Sequence, residues 1–333
     1  MTYPERLRQK APPKDLAVPI EAFDYVVKEE DLPCRLDSFV KKRLPWRSRN
    51  FFQTLIDRGL ITINGRAAKA GRYLLENEKV HVDIKEFQQE HTKADIPLDI
   101  IYEDEALLVL NKAPGVIVHP TGVHLYDTLL NAVHARYKDE IYRPTIVHRL
   151  DKDTSGVLVL VKSEKFRTHL AQQIEKREVR KSYRALAHGV FSQRQGEITF
   201  PIAENKYSHI RLKQMICADG LPSLSLYDVR ASAPVVKNFQ DGLSLVDVHI
   251  KTGRTHQIRV HLAALGHPIV ADKLYGREDE ALIVDVKIST QLLHARSFIC
   301  RHPLTEKEIE FIAPLPKPFQ AAVQSLFPSL PLD

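Results

Sequence analysis

The sequence predicts an α+β chain in two parts, a small basic α/β module followed by a large mixed α+β body. Three observations predict it. Within residues 31–84 a helical spacing of apolar residues gives way to strand alternation. Beyond residue 95, short apolar strands are interleaved with helices but lack the strict alternation of a parallel sheet. Charge divides at the same place: residues 31–84 hold eleven basic and six acidic side chains, whereas residues 85–333 hold 32 and 30.

Residues 1–20, with four prolines and mixed charge, read as a flexible arm. In the basic module Leu36, Phe39, Val40 and Leu44 share one helical face, and Pro45 ends that helix. Ser48 is placed to cap a second helix whose apolar face is Phe51, Phe52, Leu55 and Ile56, with Gly59 at its C-terminal stop. Ile61-Thr62-Ile63 runs into Asn64-Gly65, the strongest two-residue hairpin signal, and Val80, Val82 and Ile84 alternate in a later strand. Lys41, Lys42, Arg43, Arg47 and Arg49 lie on or between the two helices, as a nucleic-acid-facing surface or a solvated face.

A charged connector at 85–96 leads into the second part. Strands are expected at 100–102, 107–110 and 116–118, broken by the turn Lys112-Ala113-Pro114-Gly115, and then a helix after Asp127 carrying Leu129, Leu130 and Val133. Further strands are expected at 156–162, 182–187 and 243–250, with helices at 164–176 and 255–265. Segment 201–242 is less patterned and reads as a polar loop, with a long hairpin touching RNA as the alternative.

Composition narrows the function classes. A hydrophobic fraction of 44% in 333 residues excludes a disordered chain. No apolar run approaches the roughly 20 residues that cross a bilayer, and no charged-then-apolar leader opens the sequence, so a soluble cytoplasmic protein is expected. Cys34, Cys217 and Cys300 are too scattered for a disulfide framework, a zinc site or the ligand set of a zinc deaminase. There is neither a phosphate-binding glycine loop nor Gly-x-Gly-x-x-Gly. Neither cofactor nor metal is expected.

The densest chemistry is His148-Arg149-Leu150-Asp151-Lys152-Asp153-Thr154-Ser155-Gly156, running into Val157–Val161. A carboxylate set between Arg149 and Lys152 is favoured in its charged form, which suits a nucleophile better than a proton donor. Thr154, Ser155 and Gly156 are small enough to let backbone pass close to a ligand. Lys181-Ser182-Tyr183-Arg184 puts a tyrosine in a strand-like stretch. In Thr252–Leu262, Thr255 is placed to cap a helix striped by Ile258, Leu262 and Leu265 and ended by Gly266. Arg254, His256 and Arg259 then crowd its first turn, where positive groups oppose the helix dipole and call for a phosphate or a buried carboxylate nearby.

The helix pair and sheet of residues 31–84 resemble the S-four-type RNA-binding domain, whose basic helix pair contacts folded RNA. From about 95 to 315 the chain resembles the RluA-type pseudouridine synthases. The likeness is carried in order by Lys-x-Pro-Gly and Val-His-Pro at 112–120, His-Arg-Leu-Asp-x-x-Thr-Ser-Gly at 148–156, Lys-x-Tyr-x-Ala-Leu at 181–186, Thr-Gly-Arg-Thr-His-Gln-Ile-Arg-Val-His-Leu at 252–262, and Leu-His-Ala at 293–295.

The resemblance implies a catalytic domain over 95–320 built on a mixed, mainly antiparallel sheet of the pseudouridine synthase type. It implies Asp151 as nucleophile, Tyr183 packed on the target base and implicated in proton transfer, Arg259 paired with the catalytic carboxylate, and Arg149 helping to extrude the nucleotide. His148, Thr154, Arg254 and His256, with Arg47 and Arg49 of the front module, complete the expected substrate-binding set. The expected partner is structured RNA, large-subunit ribosomal RNA ahead of transfer RNA, met by a monomer. A non-catalytic RNA-binding assembly factor is the rival expectation.

Overall fold

The computed structural model describes residues 22–44, 48–84, 96–121, 124, 127–208, 210, 213–277, 282–283 and 286–331. The expected arm at 1–20, the helix-stopping Pro45 and Arg47 lie outside the described residues, as does most of the 85–96 connector. Backbone contacts group residues 1–97 with 119–140 in one unit and residues 98–118 with 141–333 in the other.

The first unit opens with β1 (Ala22–Val26), ahead of the stretch that the charge count marks out. Then follow α1 (Leu36–Arg43), α2 (Arg49–Asp57), β2 (Ile61–Ile63), β3 (Arg66–Ala67) and β4 (Lys79–Asp83). The strands form one antiparallel sheet in the order β1-β4-β2-β3. Leu36, Phe39, Val40, Phe52 and Leu55 are fully buried and pack with Val80 and Val82. Burial of these apolar faces, more than helix propensity, holds helices this short. The Ser48 side chain accepts from the Phe51 N–H and so caps α2, while Gly59 takes φ +75° just past its end. Asn64 (φ 50°) and Gly65 (φ 75°) make the tight turn in which both central residues need positive φ.

Two buried carboxylates organise the cations of the helix pair. Asp37, fully buried, accepts from Arg49 at 2.9 Å, Gln53 at 2.9 Å and Arg35 at 3.2 Å. Burial alone would raise its pKa, but the hydrogen bonds from Gln53 and Arg49 and the arginine charges hold it below the usual carboxylate range. Asp31 likewise takes Arg43 at 2.5 Å and Lys42 at 3.5 Å. Lys42, Arg43 and Arg49, read above as part of one surface, are therefore tethered from beneath. The same unit holds α3 (Leu129–Arg136), with Leu129, Leu130 and Val133 buried as expected.

In the second unit β5 (Ile100–Glu103) and β6 (Leu107–Lys112) precede β7 (Thr145–Ile146), β8 (Ser155–Val161), α4 (Glu164–Glu175) and β9 (Arg180–His188). Next come β10 (Gln195–Ile198), β11 (Ile202–Glu204), β12 (Gln214–Ile216), β13 (Ser225–Ala233), β14 (Leu243–Ile250) and α5 (Gln257–Ala264). The chain closes with β15 (Leu282–Ile283), β16 (Val286–Lys287), β17 (Leu293–Arg301), β18 (Glu308–Ile312) and α6 (Lys317–Leu326). The main sheet runs β10-β13-β14-β9-β17-β8-β6-β5, with β18 also on β17 and β7 on β8. All its pairings are antiparallel except β8 with β17, which makes it mixed and mainly antiparallel. Strand β17 is shared along one edge, with β8 beside His294–Ala295 and β18 beside Ser297–Arg301.

Three expectations are corrected here. Residues 116–118 are not a strand, because the Lys112 ammonium takes the carbonyls of Ala113 and Val116, both at 2.8 Å, and closes the segment into a turn. Segment 201–242 is not a plain loop: it contains the β11–β12 hairpin and the long β13 of the main sheet. Its His209 and Arg211 lie outside the described residues.

Gly156 also acts differently from expectation. Its φ is +110°, and a Cβ there would stand 2.1 Å from the Ala295 carbonyl oxygen of β17. Its smallness admits a neighbouring strand rather than a ligand. Gly156→Ala is expected to cost at least about 3 kcal/mol from backbone strain plus overlap. A urea midpoint unchanged from the parent protein would refute this close approach.

Candidate active site

The loop before β8 carries Asp151, and the central strands β9 and β17 stand beside it. Leu150 is buried and anchors the loop, and the Thr154 N–H closes it onto the Asp151 carbonyl at 3.2 Å. A third bond from Lys112 Nζ, 2.8 Å to the Lys152 carbonyl, ties the loop to β6. Burial draws the Lys112 amine down to about 7, against the charges of Asp153 and Asp151, while its three carbonyl acceptors use all three hydrogens of the ammonium.

Arg259 sits in the first turn of α5, where the dipole disfavours a cation, and two carboxylates answer it. Its Nη1 donates to Asp151 Oδ2 at 3.0 Å. Its Nε and Nη2 fork onto Asp272 at 2.7 and 2.8 Å. Burial would weaken the guanidinium's hold on its proton, but the Asp272 bonds and charge, then Asp151, raise its pKa. Asp272 is itself held by the backbone N–H groups of Leu274 and Tyr275. The helix start differs from expectation: Thr255 does not cap it. His256 takes the N-cap position with φ 55°, and the Gln257 side chain instead accepts from the Arg254 N–H and the Thr252 hydroxyl.

These residues line a cleft of about 290 Å³ that includes His148, Arg149, Asp151, Thr154, Lys181, Tyr183, Arg254, His256 and Arg259. Tyr183 lies on β9 between Val248 and Ala295 and is 7% exposed. Burial, with the charge of Asp151 second, pushes its phenol pKa up, so it offers a ring face and a proton rather than a base. His256 Nε2 stands 3.8 Å from Asp151 Oδ2. Lys181, two residues before Tyr183, faces the same cleft and lies over the Phe298 ring at 5.5 Å. Burial draws its amine down to about 8. Arg149 is exposed at the cleft.

Other expected site residues are built partly into the fold. His148 Nε2 accepts the Val159 N–H at 3.0 Å, its ring stacks on Phe298 at 4.8 Å, and burial drives its pKa well down. The Thr154 hydroxyl accepts from Gln291 at 2.8 Å. Arg254 Nε donates to the Pro222 carbonyl at 3.3 Å. Arg49, in the other unit, is tethered to Asp37.

Sequence reading missed Lys112 as a tether and Asp272, Tyr275 and Gln291 altogether. One signal was present for Asp272, a carboxylate directly after the apolar run Ile269-Val270-Ala271. Asp272 answers the need for an anion that the arginine in the first helical turn had raised.

Comparison with known proteins gives a consistent assignment. The RNA pseudouridylate synthase family model matches residues 106–264, and the S4 domain model matches residues 34–80. An uncharacterized RNA pseudouridine synthase of Bacillus subtilis, YlyB, is 34% identical over 91% of this chain and 98% of its own length. The ribosomal large subunit pseudouridine synthase D of Zymomonas mobilis is 34% identical over 90% of this chain and 95% of its own. The structure of human RNA Pseudouridylate Synthase Domain Containing 1 matches with a TM-score of 0.54 at 26% identity, covering 71% of this chain and 97% of that one.

Proposed function

The chain belongs to the RNA pseudouridine synthase family and carries an S4 domain ahead of its catalytic part, and from this we propose that it isomerises specific uridines of large-subunit ribosomal RNA with Asp151 as nucleophile. Carrying the reading is the placement of Asp151 at the cleft, bonded to an arginine that a second, buried carboxylate holds in place. The reaction breaks the uridine N1–C1′ bond and forms C5–C1′. One proton leaves C5 and one is taken up at N1, so no redox partner is required.

Asp151 supplies the carboxylate on which glycosidic cleavage depends, and Arg259 aligns it. The base enters flipped out of the RNA, at a cost of a few kcal/mol, and stacks on the Tyr183 ring. Arg149, exposed at the cleft, takes the place the base leaves. His148, Thr154, Arg254 and His256 shape the cleft around the nucleotide. By their motifs we assign residues 95–320 to the catalytic domain and 31–84 to the RNA-gripping module, whereas backbone contacts group 119–140 with the front unit. The ribosomal substrate is supported by the names of the relatives and by the basic helix pair of that module. No helix among the described residues is long and apolar enough to cross a membrane.

Tritium release from C5-labelled uridine tests the reading. Release from large-subunit ribosomal RNA, and none from transfer RNA, is expected; release from transfer RNA alone would overturn the substrate, and none from either would overturn the activity. In the front module Arg49→Gln leaves Asp37 with Arg35 and Gln53 as partners, so the fold is expected to hold. RNA affinity should fall and the slope of log affinity against log salt should shrink by about 1. An unchanged slope would remove Arg49 from the RNA contact.

A further inference from the structure

Tyr275 follows Asp272 by three residues, and its ring lies against the Arg259 guanidinium at 5.2 Å. Its hydroxyl has two polar contacts among the described residues. The backbone N–H of Gln214, on β12, reaches it at 2.6 Å, and His256 Nδ1 lies at 2.9 Å. An amide N–H can only donate, so the hydroxyl accepts there. Burial pushes the phenol up to about 12, so it keeps its own proton.

Among the described residues that proton has one acceptor to go to, His256 Nδ1. A proton already on Nδ1 would leave the hydroxyl proton without a partner, an arrangement that half-buried polar groups avoid. Burial lowers the His256 pKa, with Asp151 and Asp272 opposing and Arg259 and Arg149 assisting, so the ring carries a single proton at neutral pH. With Nδ1 accepting, it sits on Nε2. That nitrogen is the one 3.8 Å from Asp151 Oδ2, the same oxygen that Arg259 holds.

We propose that Tyr275 is a positioning residue that fixes the Nε2–H form of His256, so that an N–H dipole rather than a lone pair faces the Asp151 carboxylate from 3.8 Å, beside the bond from Arg259. The inference rests on the catalytic reading of Asp151 and extends it to Tyr275, which does not line the cleft. The order of donors runs from the β12 backbone through Tyr275 to His256, whose Nε2–H then faces Asp151. The seating of the β11–β12 hairpin is thereby linked to the reacting carboxylate. The left-handed backbone of His256, uncommon for a residue with a side chain, is part of the same placement.

The test is a long-range proton–nitrogen correlation spectrum of the full-length ¹⁵N-labelled protein at neutral pH, with the His256 signals assigned by their loss in His256→Gln. Nδ1 is expected unprotonated and Nε2 protonated. A proton on Nδ1, or on both nitrogens, overturns the proposal. This reading needs no turnover, so it stands or falls apart from the assignment of the reaction. In Tyr275→Phe, which keeps the ring over Arg259, the tautomers should mix and kcat should fall at least about ten-fold with KM for RNA within about two-fold. Retention of the single tautomer in this variant, whether or not kcat falls, would overturn the role of Tyr275.

Discussion

Asp151→Asn is expected to lower kcat by on the order of 10⁴-fold or more, the scale on which nucleophile removal acts in other enzymes. The substitution keeps the shape of the side chain and removes its charge. Asp151 is 21% exposed and is held by one bond from Arg259, whose other edge remains on Asp272. No buried charge is left without a partner, so the melting temperature should move by only a few degrees, and RNA affinity should stay within about three-fold. Single-turnover tritium release with enzyme in excess separates the chemical step from product release. Asp151→Ala is its companion, because slow deamidation of the asparagine would restore the carboxylate. Residual turnover above about 1% of the parent in the alanine variant would sink the nucleophile assignment, since general positioning alone leaves far less.

The two halves of the site differed in how far they could be read from the sequence. Asp151, Tyr183 and Arg259 each sit among several polar residues next to an apolar element, and such local density is visible along a chain. Their partners are visible only through the fold. Tyr183 faces Asp151 because β9 and β8 both flank β17, and that strand begins more than a hundred residues after Tyr183. Asp272 and Tyr275 occupy a short turn whose local pattern carries no signal of the arginine they support. The same limit explains the false strand at 116–118: Val116-Ile117-Val118 has the composition of a strand, but the bonds of Lys112 redirect its backbone. Thr255 failed as a cap for a similar reason. Gln257 already satisfies the Arg254 N–H, and the chain turns left-handed at His256 instead. In the front module the helix spacing and the Asn-Gly turn were legible because they are local. Strand β1 was not, because its place in the sheet depends on β4, more than fifty residues away.

Arg259→Leu is expected to cost about 3–5 kcal/mol, the range for removing one partner of a buried ion pair. Arg259 is 6% and Asp272 3% exposed, so the leucine leaves a carboxylate in a space that water does not readily reach. The penalty comes from the stranded charge more than from lost attraction, and that distinction is measurable. Asp272→Asn removes one carboxylate but leaves the guanidinium its bond to Asp151, and it should cost less, about 1–3 kcal/mol. In the double variant Arg259→Leu with Asp272→Asn, neither charge remains to be stranded. Its cost should therefore fall below the sum of the two single costs by about 1–3 kcal/mol. Urea unfolding of the four proteins gives this coupling directly. Strict additivity would mean that Asp272 does not clamp Arg259, and the alignment of Asp151 would need another source. Arg259→Lys adds the chemical half of the test. An ammonium keeps the charge but cannot span two carboxylates with the planar fork of a guanidinium. More of the stability than of kcat should survive, because stability needs the charge near Asp272, whereas catalysis also needs Asp151 held at one angle.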